Sequence, residues 1–228
     1  MLRDFTFSLL TVCFFTLGLA ASLPAQTASH EQTTSSTPPK VAPLLPRDQE
    51  IALAESAAPP AVSKNAAVYV LEEKGYVKVR DGSNGFTCLV ERDLPLNIEP
   101  ICYDQEGSAT LVLAVMRKAE LRRQGKSQDE VNADIGEGYA SGRFRAPRRS
   151  GMAYMLSPDT RVYNPRAGTT RTLPPHLMFY APYLKNSDIG IDQPDHTGRL
   201  PFIVQDGQPD AFIIVRVRDV VPAAPEKP

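Results

Sequence analysis

The stretch NGFTCLVERDLPLNIEPICYDQEG, residues 84–107, contains Cys88 and Cys102, two of the three cysteines of the chain. Each lies in a short run rich in apolar and β-branched residues, FTCLVER and EPICYD, and a connection containing proline separates the two runs. Short apolar runs bounded by turn-forming residues are typical of β-strands. The stretch therefore predicts two neighbouring strands with one cysteine in each.

The first 25 residues have the pattern of a secretory signal peptide. A short start with Arg3 and Asp4 precedes an apolar run over 5–21, and small residues follow it. A retained membrane anchor is the competing interpretation, but an anchor needs about 20 consecutive apolar residues, and this run is shorter and contains Thr and Ser. Cys13 lies inside the run and would be removed with it. We expect a secreted or periplasmic protein that is not stably inserted in a membrane after cleavage.

An exported chain of this kind keeps two cysteines in an oxidising compartment. Neither belongs to a CxxC motif, and two cysteines with no nearby histidine make a poor zinc site or catalytic centre. Two buried free thiols are the remaining alternative. We favour a disulfide between Cys88 and Cys102, closing a loop of about 15 residues and contributing about 3 kcal/mol.

Composition and charge narrow the class of protein. The 25 Lys and Arg residues nearly balance the 26 Asp and Glu residues, for a formal net charge of −1. This balance gives no electrostatic reason to expect binding to nucleic acid or an anionic membrane. Residues 26–46 are rich in Ser, Thr and Pro and are predicted to be a disordered linker, as are residues 221–228 at the C-terminus. The folded part is predicted to span 47–220 as a single domain.

Hydrophobic patterning predicts an α+β fold for this domain. A short helix over 47–58 precedes strands separated by glycine-containing turns, and a helix over 108–124 shows one apolar face. A second helix starts at Ser127, whose spacing to Glu130 is that of a capping box. Short strands follow to the end of the domain. We expect a mostly antiparallel sheet with a helical hairpin insert.

The segment GRFRAPRRSG, residues 142–151, is a candidate site for an anion or an acidic partner. Arginine side chains suit phosphate and carboxylate groups because their planar forks bind two oxygens at once. The alternative is a solvated loop whose charges pair with nearby carboxylates of the second helix. The four candidates are Arg143, Arg145, Arg148 and Arg149.

The segment LPPHLMFYAPYL is a second candidate, because its aromatic residues could line a pocket. His176 would act there as a general base or ligand, with Tyr180 and Tyr183 beside it. The alternative is core packing, with the histidine hydrogen-bonded to a neighbouring carbonyl.

Other motifs are weaker. One loop contains the cluster Asp188, Asp192, Asp195 and His196, and oxygen-rich loops can bind calcium. The spacing of these residues matches no EF-hand, however, and turns also favour Asp. GEGYASG resembles a nucleotide-binding loop but follows no predicted strand. GxSxG, HExxH and P-loop motifs are absent from the sequence. No metal or cofactor is predicted.

Three stretches, GSNGFTCLVER, GRFRAPRRSGMAYMLSP and PPHLMFYAPYL, together resemble a family of uncharacterised bacterial secreted proteins that carry signal peptides. The resemblance covers about 50–218. It implies an exported bacterial protein and transfers no activity, cofactor or catalytic residue.

The sequence therefore favours a non-enzymatic module of the cell envelope that binds a small ligand or a protein partner, not nucleic acid. The alternative is a secreted hydrolase that uses His176 or His196. A histidine in an open cleft, within reach of a serine or carboxylate, would favour the enzyme.

Overall fold

The computed structural model describes residues 41–94, 96–164, 167–191 and 200–217. The predicted signal peptide, most of the predicted linker and the 221–228 tail lie outside these ranges. Within them, no helix is long and apolar enough to cross a bilayer.

The described residues form helices and short strands in the following order. They are α1 (Arg47–Ser56), α2 (Pro60–Ser63), β1 (Ala67–Glu72), β2 (Gly75–Arg80), β3 (Thr87–Glu91), β4 (Glu99–Tyr103), α3 (Gln105–Arg123), α4 (Gln128–Ala140), β5 (Met152–Met155), β6 (Arg161–Asn164), β7 (Thr169–Thr172), β8 (His176–Tyr180), a 3₁₀ helix (Asn186–Ile189), β9 (Phe202–Val204) and β10 (Phe212–Arg216).

Eight of these strands make one sheet in the order β2-β1-β3-β4-β5-β8-β10-β9, and β6 and β7 pair separately as a hairpin. The neighbours in the large sheet are antiparallel except β1 and β3, which run parallel. The predicted α+β fold with a mostly antiparallel sheet is confirmed.

The disulfide between Cys88 and Cys102 is also confirmed. The two residues are direct partners in the β3–β4 ladder, with their Cα atoms 4.0 Å apart. The same register places Glu91 opposite Glu99. Because side chains alternate between the faces of a strand, these two glutamates point away from the disulfide.

The alternation gives the sheet two buried faces. On one face, α1 packs over the disulfide, together with Val68 and Val90. On the other, Leu89 and Ile101 pack against α3, in a core that continues across β5, β8 and β10. Glu91 and Glu99 share the α3 face with this apolar core.

The predicted helical hairpin is formed by α3 and α4 on that second face. The α3 helix begins at Gln105, three residues before the predicted start, because the Asp104 side chain accepts a hydrogen bond from the Gly107 amide at 2.9 Å and caps it. The predicted capping box of Ser127 and Glu130 starts α4. Phe144 packs under α4, beside Val131 and the rest of a small apolar cluster.

Candidate functional site

Two adjoining cavities lie between α4, the α3 face of the sheet and the loop that joins β9 to β10. The outer cavity has a volume of about 900 Å³ and is lined by α4 residues together with Tyr183, Gln205 and Gln208. The inner cavity, of about 130 Å³, lies against the sheet. The two share lining residues, among them Lys118, Tyr139 and Asp210, so they adjoin each other.

Glu91 is the carboxyl group at the sheet end of the inner cavity. It accepts a hydrogen bond from the hydroxyl of Tyr103, which is 1% exposed, and Glu91 itself is half-buried. Burial raises the pKa of Glu91 to about 7, against the opposing effects of the Tyr103 hydroxyl and of Lys118. Near neutral pH this carboxyl group therefore exchanges readily between its two protonation states.

Lys118 is the cation of the inner cavity. It comes from the apolar face of α3, and its ammonium group lies 3.1 Å from the carboxylate of Asp210. Burial alone lowers the pKa of Lys118, but Asp210 and Glu91 outweigh that effect, and the pKa lies above its ordinary value. Lys118 is therefore charged, and Asp210 holds it in place.

A second carboxyl group, that of Glu99, lies opposite Glu91. The buried amide of Asn97 donates to Glu99 at 2.6 Å and to Asp93 at 2.5 Å, and its oxygen accepts from the Tyr163 amide. Burial, followed by the charges of Asp93 and Glu91, raises the pKa of Glu99 well above its ordinary range. Asn97 thus fixes the positions of two carboxyl groups that line the inner cavity.

Tyr139 forms a wall common to both cavities. Its ring makes an edge-on contact with Phe144, with the centroids 5.7 Å apart. Its hydroxyl is buried and has no hydrogen-bond partner among the described residues. Buried hydroxyl groups are nearly always paired, so this one is available to a molecule that enters the site.

The four arginines predicted to bind an anion have different environments. Arg143 pairs with Asp134 of α4 at 2.9 Å and lies over the ring of Phe144, so it holds the loop to the helix. Arg149 pairs at 3.4 Å with Glu106 of α3, which also accepts from the Arg148 backbone amide. The side chains of Arg145 and Arg148 are exposed and have no polar partner among the described residues.

The structure does not place His176, Tyr180 and Tyr183 in one shared pocket. His176 is 5% exposed, and its Nδ1 lies 2.8 Å from the carbonyl oxygen of Pro174. Tyr180 belongs to the core, where its hydroxyl donates to Asp104 or to the Met152 carbonyl. Tyr183 is 61% exposed and lines the outer cavity.

Among the described residues of the weaker motifs, Gly136, Tyr139 and Ala140 of GEGYASG line the outer cavity. Asp188 accepts from the Lys185 amide at the start of the 3₁₀ helix, while Asp192, Asp195 and His196 lie outside the described residues. Across the described ranges, no group of His, Cys, Asp and Glu is arranged to hold a metal ion. The GEGYASG segment forms the end of α4 and the turn after it.

Tyr183 was a candidate site residue from the sequence, whereas the carboxyl groups of the inner cavity, Lys118 and Tyr139 were not. Two of these carboxyl groups, those of Glu91 and Glu99, could have been found from the sequence, because pairing Cys88 with Cys102 fixes a register in which Glu91 faces Glu99. Asp210 and Lys118 meet across a separation of 92 residues, which no local pattern reveals.

Comparisons of the chain with models of protein families, with curated protein sequences and with solved structures returned no match. The resemblance to a family of secreted proteins stays a prediction.

Proposed function

We propose that this protein is a binding module whose two adjoining cavities hold a small organic cation. The supporting observation is the lining of these adjoining cavities, with carboxyl groups around the inner one and tyrosines along the walls of the outer one. The outer cavity, at about 900 Å³, lies within the usual range of small-ligand sites, about 300–1,000 Å³.

The charges of the inner cavity favour a cation. Its carboxyl groups belong to Glu91, Asp93, Glu99 and Asp210, whereas Lys118 is its only cationic lining residue among those described. Asp210 already pairs with Lys118. The other three carboxyl groups accept a hydrogen bond from Tyr103 or Asn97 but form no ion pair with a described residue. An ammonium or guanidinium group would supply the missing positive charge and further hydrogen-bond donors, and its charge would favour the ionised forms of Glu91 and Glu99.

The aromatic walls support the same class of ligand. The rings of Tyr139 and Tyr183 line the outer cavity, and cations are attracted to the faces of such rings within about 6 Å of the centroid. The unpaired hydroxyl of Tyr139 offers one further polar contact.

Titration calorimetry with agmatine, which carries an ammonium and a guanidinium group, tests the proposal. Glucose serves as a neutral polyol and citrate as an anion. We expect agmatine alone to bind, and we expect Glu91→Gln to weaken its binding about tenfold, equivalent to about 1.4 kcal/mol. Glu137→Gln, an exposed α4 residue, is the control. Preferential binding of glucose or citrate, or equal affinities of the two variants, would reject a cation site.

The alternative of a hydrolase gains no geometric support at His176. This histidine is buried, its Nδ1 is engaged by the Pro174 carbonyl, and no described serine or carboxylate is hydrogen-bonded to it. Burial, helped by Arg216, lowers its pKa. His196 lies outside the described residues.

The proposed site belongs to a protein that we also propose is exported. The signal-like pattern of residues 1–25 supports this, as does the disulfide, because structural disulfides are rare in the cytosol. Mass spectrometry of the protein from its native host should find a new N-terminus between about residues 21 and 27. An intact N-terminus in the membrane fraction would favour a retained anchor instead.

A further inference from the structure

A third cavity, of about 240 Å³, lies on the same face of the sheet, next to the start of β8. It adjoins the inner cavity, because Glu99, Met155 and Met178 line both. Its composition is different, however. Its floor is apolar and is made by side chains of four adjacent strands, Met155, Met178, Ile214, Phe202 and Val204.

The register of the strands explains why these side chains converge. Met155 is the partner of His176 in the β5–β8 ladder, and His176 is the partner of Arg216 in the β8–β10 ladder. Met178 and Ile214 are partners two residues further along. Directly opposed residues point to the same face of a sheet, so the methionines and Ile214 form a floor beside a polar end.

That polar end is cationic. Arg171 of β7 lines the cavity and is exposed, and its side chain makes no hydrogen bond or ion pair with the other described residues. Arg216 of β10 lies close enough to His176 to help lower its pKa, after burial, which is the main cause. The imidazole is therefore mainly neutral near pH 7.

Glu99 is the carboxyl group that the third cavity shares with the inner one. Burial and the nearby charges of Asp93 and Glu91 favour its protonated, uncharged form. The cavity thus combines two guanidinium groups with an apolar floor and little opposing negative charge among the described lining residues.

We propose that this cavity, which we call the apolar slot, binds a small apolar carboxylic acid, with its hydrocarbon body on the methionine floor and its carboxylate at Arg171. Guanidinium groups form strong, often bidentate, hydrogen bonds with carboxylates. A volume of about 240 Å³ is below the usual range for drug-sized ligands, so the slot suits a single aryl group or a short acyl chain. This inference does not rest on the proposed cation site, because its ligand lies in another cavity and has the opposite charge, although Glu99 lines both cavities.

The test uses the folded protein and two matched probes, 3-phenylpropionate and its uncharged analogue 3-phenylpropan-1-ol. Ligand-observed NMR titrations should show binding of the acid, and binding of the alcohol at least about tenfold weaker, as expected from the loss of an ion pair. Arg171→Ala should weaken binding of the acid at least about fivefold. Arg145→Ala, which removes an exposed arginine that lines none of these cavities, should leave it unchanged.

A second variant tests whether the probes bind inside the apolar slot or on the surface of the protein. Val204→Phe adds a ring at the edge of the apolar floor and should block both probes, while the circular dichroism spectrum stays that of the folded protein. No binding of the acid, equal affinities for acid and alcohol, or equal effects of the Arg171 and Arg145 variants would overturn the inference.

Discussion

Glu91 is a carboxyl group on the core face of a sheet, next to Leu89 and under α3. Burial in this position disfavours the charged form of the carboxyl group, and it therefore raises the pKa of Glu91 from its ordinary value of 4.5 to about 7. One hydrogen bond from Tyr103 holds the group without neutralising it. A residue kept in this state at a cost in stability is a strong candidate for function.

This pKa predicts how stability depends on pH. The folded protein keeps the Glu91 proton up to about pH 7, whereas the unfolded chain releases it near 4.5. Between these values the folded state binds more protons, so this group makes the free energy of unfolding fall as pH rises from about 4.5 through about 7.

Glu91→Gln removes the titration while keeping an acceptor for the Tyr103 hydroxyl. We expect the variant to be close to the wild type in stability at pH 4.5 and about 3 kcal/mol more stable at pH 8, measured by urea unfolding. Glu137→Gln should show no such difference. If Glu91→Gln instead destabilised the protein equally at both pH values, Glu91 would be an ordinary structural group.

Part of the environment of Glu91 can be predicted from the sequence. The cysteine pair predicts the β3–β4 register, and the register makes Glu91 and Glu99 neighbours on the face away from the disulfide. That this face is the one covered by α3 depends on contacts that are distant in the chain. The pairing of Lys118 with Asp210 depends on the same packing.

The α4 helix contains two glycines, Gly136 and Gly138, whose surroundings differ. A Cβ atom on Gly138 would lie 2.3 Å from two ring carbons of Phe144, whereas one on Gly136 would have no atom within 4 Å. Gly138 therefore permits the close approach of the buried Phe144 ring to the helix, and Gly136 is a weak point in an otherwise regular helix.

We expect opposite effects from alanine at these two positions. Gly138→Ala should destabilise the protein by about 1–3 kcal/mol through overpacking, and Gly136→Ala should stabilise it by about 0.5–1 kcal/mol through helix propensity. Urea unfolding curves measure both. Equal effects of the two substitutions would contradict the described packing of Phe144 under α4.

Elements with strong periodicity or clear caps were predictable from the sequence. The helix over 47–58, the strands around both cysteines and the capping box at Ser127 are present in the structure. Hydrophobic patterning does not predict the β7 strand, TTRT, because its four residues are all exposed and polar; in the described structure they pair with β6. The start of α3 was placed too late because the capping role of Asp104 was not considered.

At the scale of the whole molecule, the disulfide stabilises the α1 face while the larger apolar core lies on the other face. Cys88 and Cys102 are both fully buried. Reduction, or the double change Cys88→Ala and Cys102→Ala, should lower the free energy of unfolding by about 3 kcal/mol.

The protein should nevertheless stay folded, because the core under α3 does not depend on the disulfide. Urea unfolding with and without reductant measures the effect, and the double variant should not respond to reductant. A reduced protein that loses its near-ultraviolet circular dichroism in the absence of urea would show that the two faces do not fold separately.

A crystal structure of the protein with agmatine would show whether the two adjoining cavities hold an organic cation. We expect one charged group of agmatine within hydrogen-bonding distance of Glu91 or Asp93, with its chain passing Tyr139 toward the outer cavity. Agmatine bound elsewhere at saturating concentration, or both cavities occupied by water alone, would contradict this expectation.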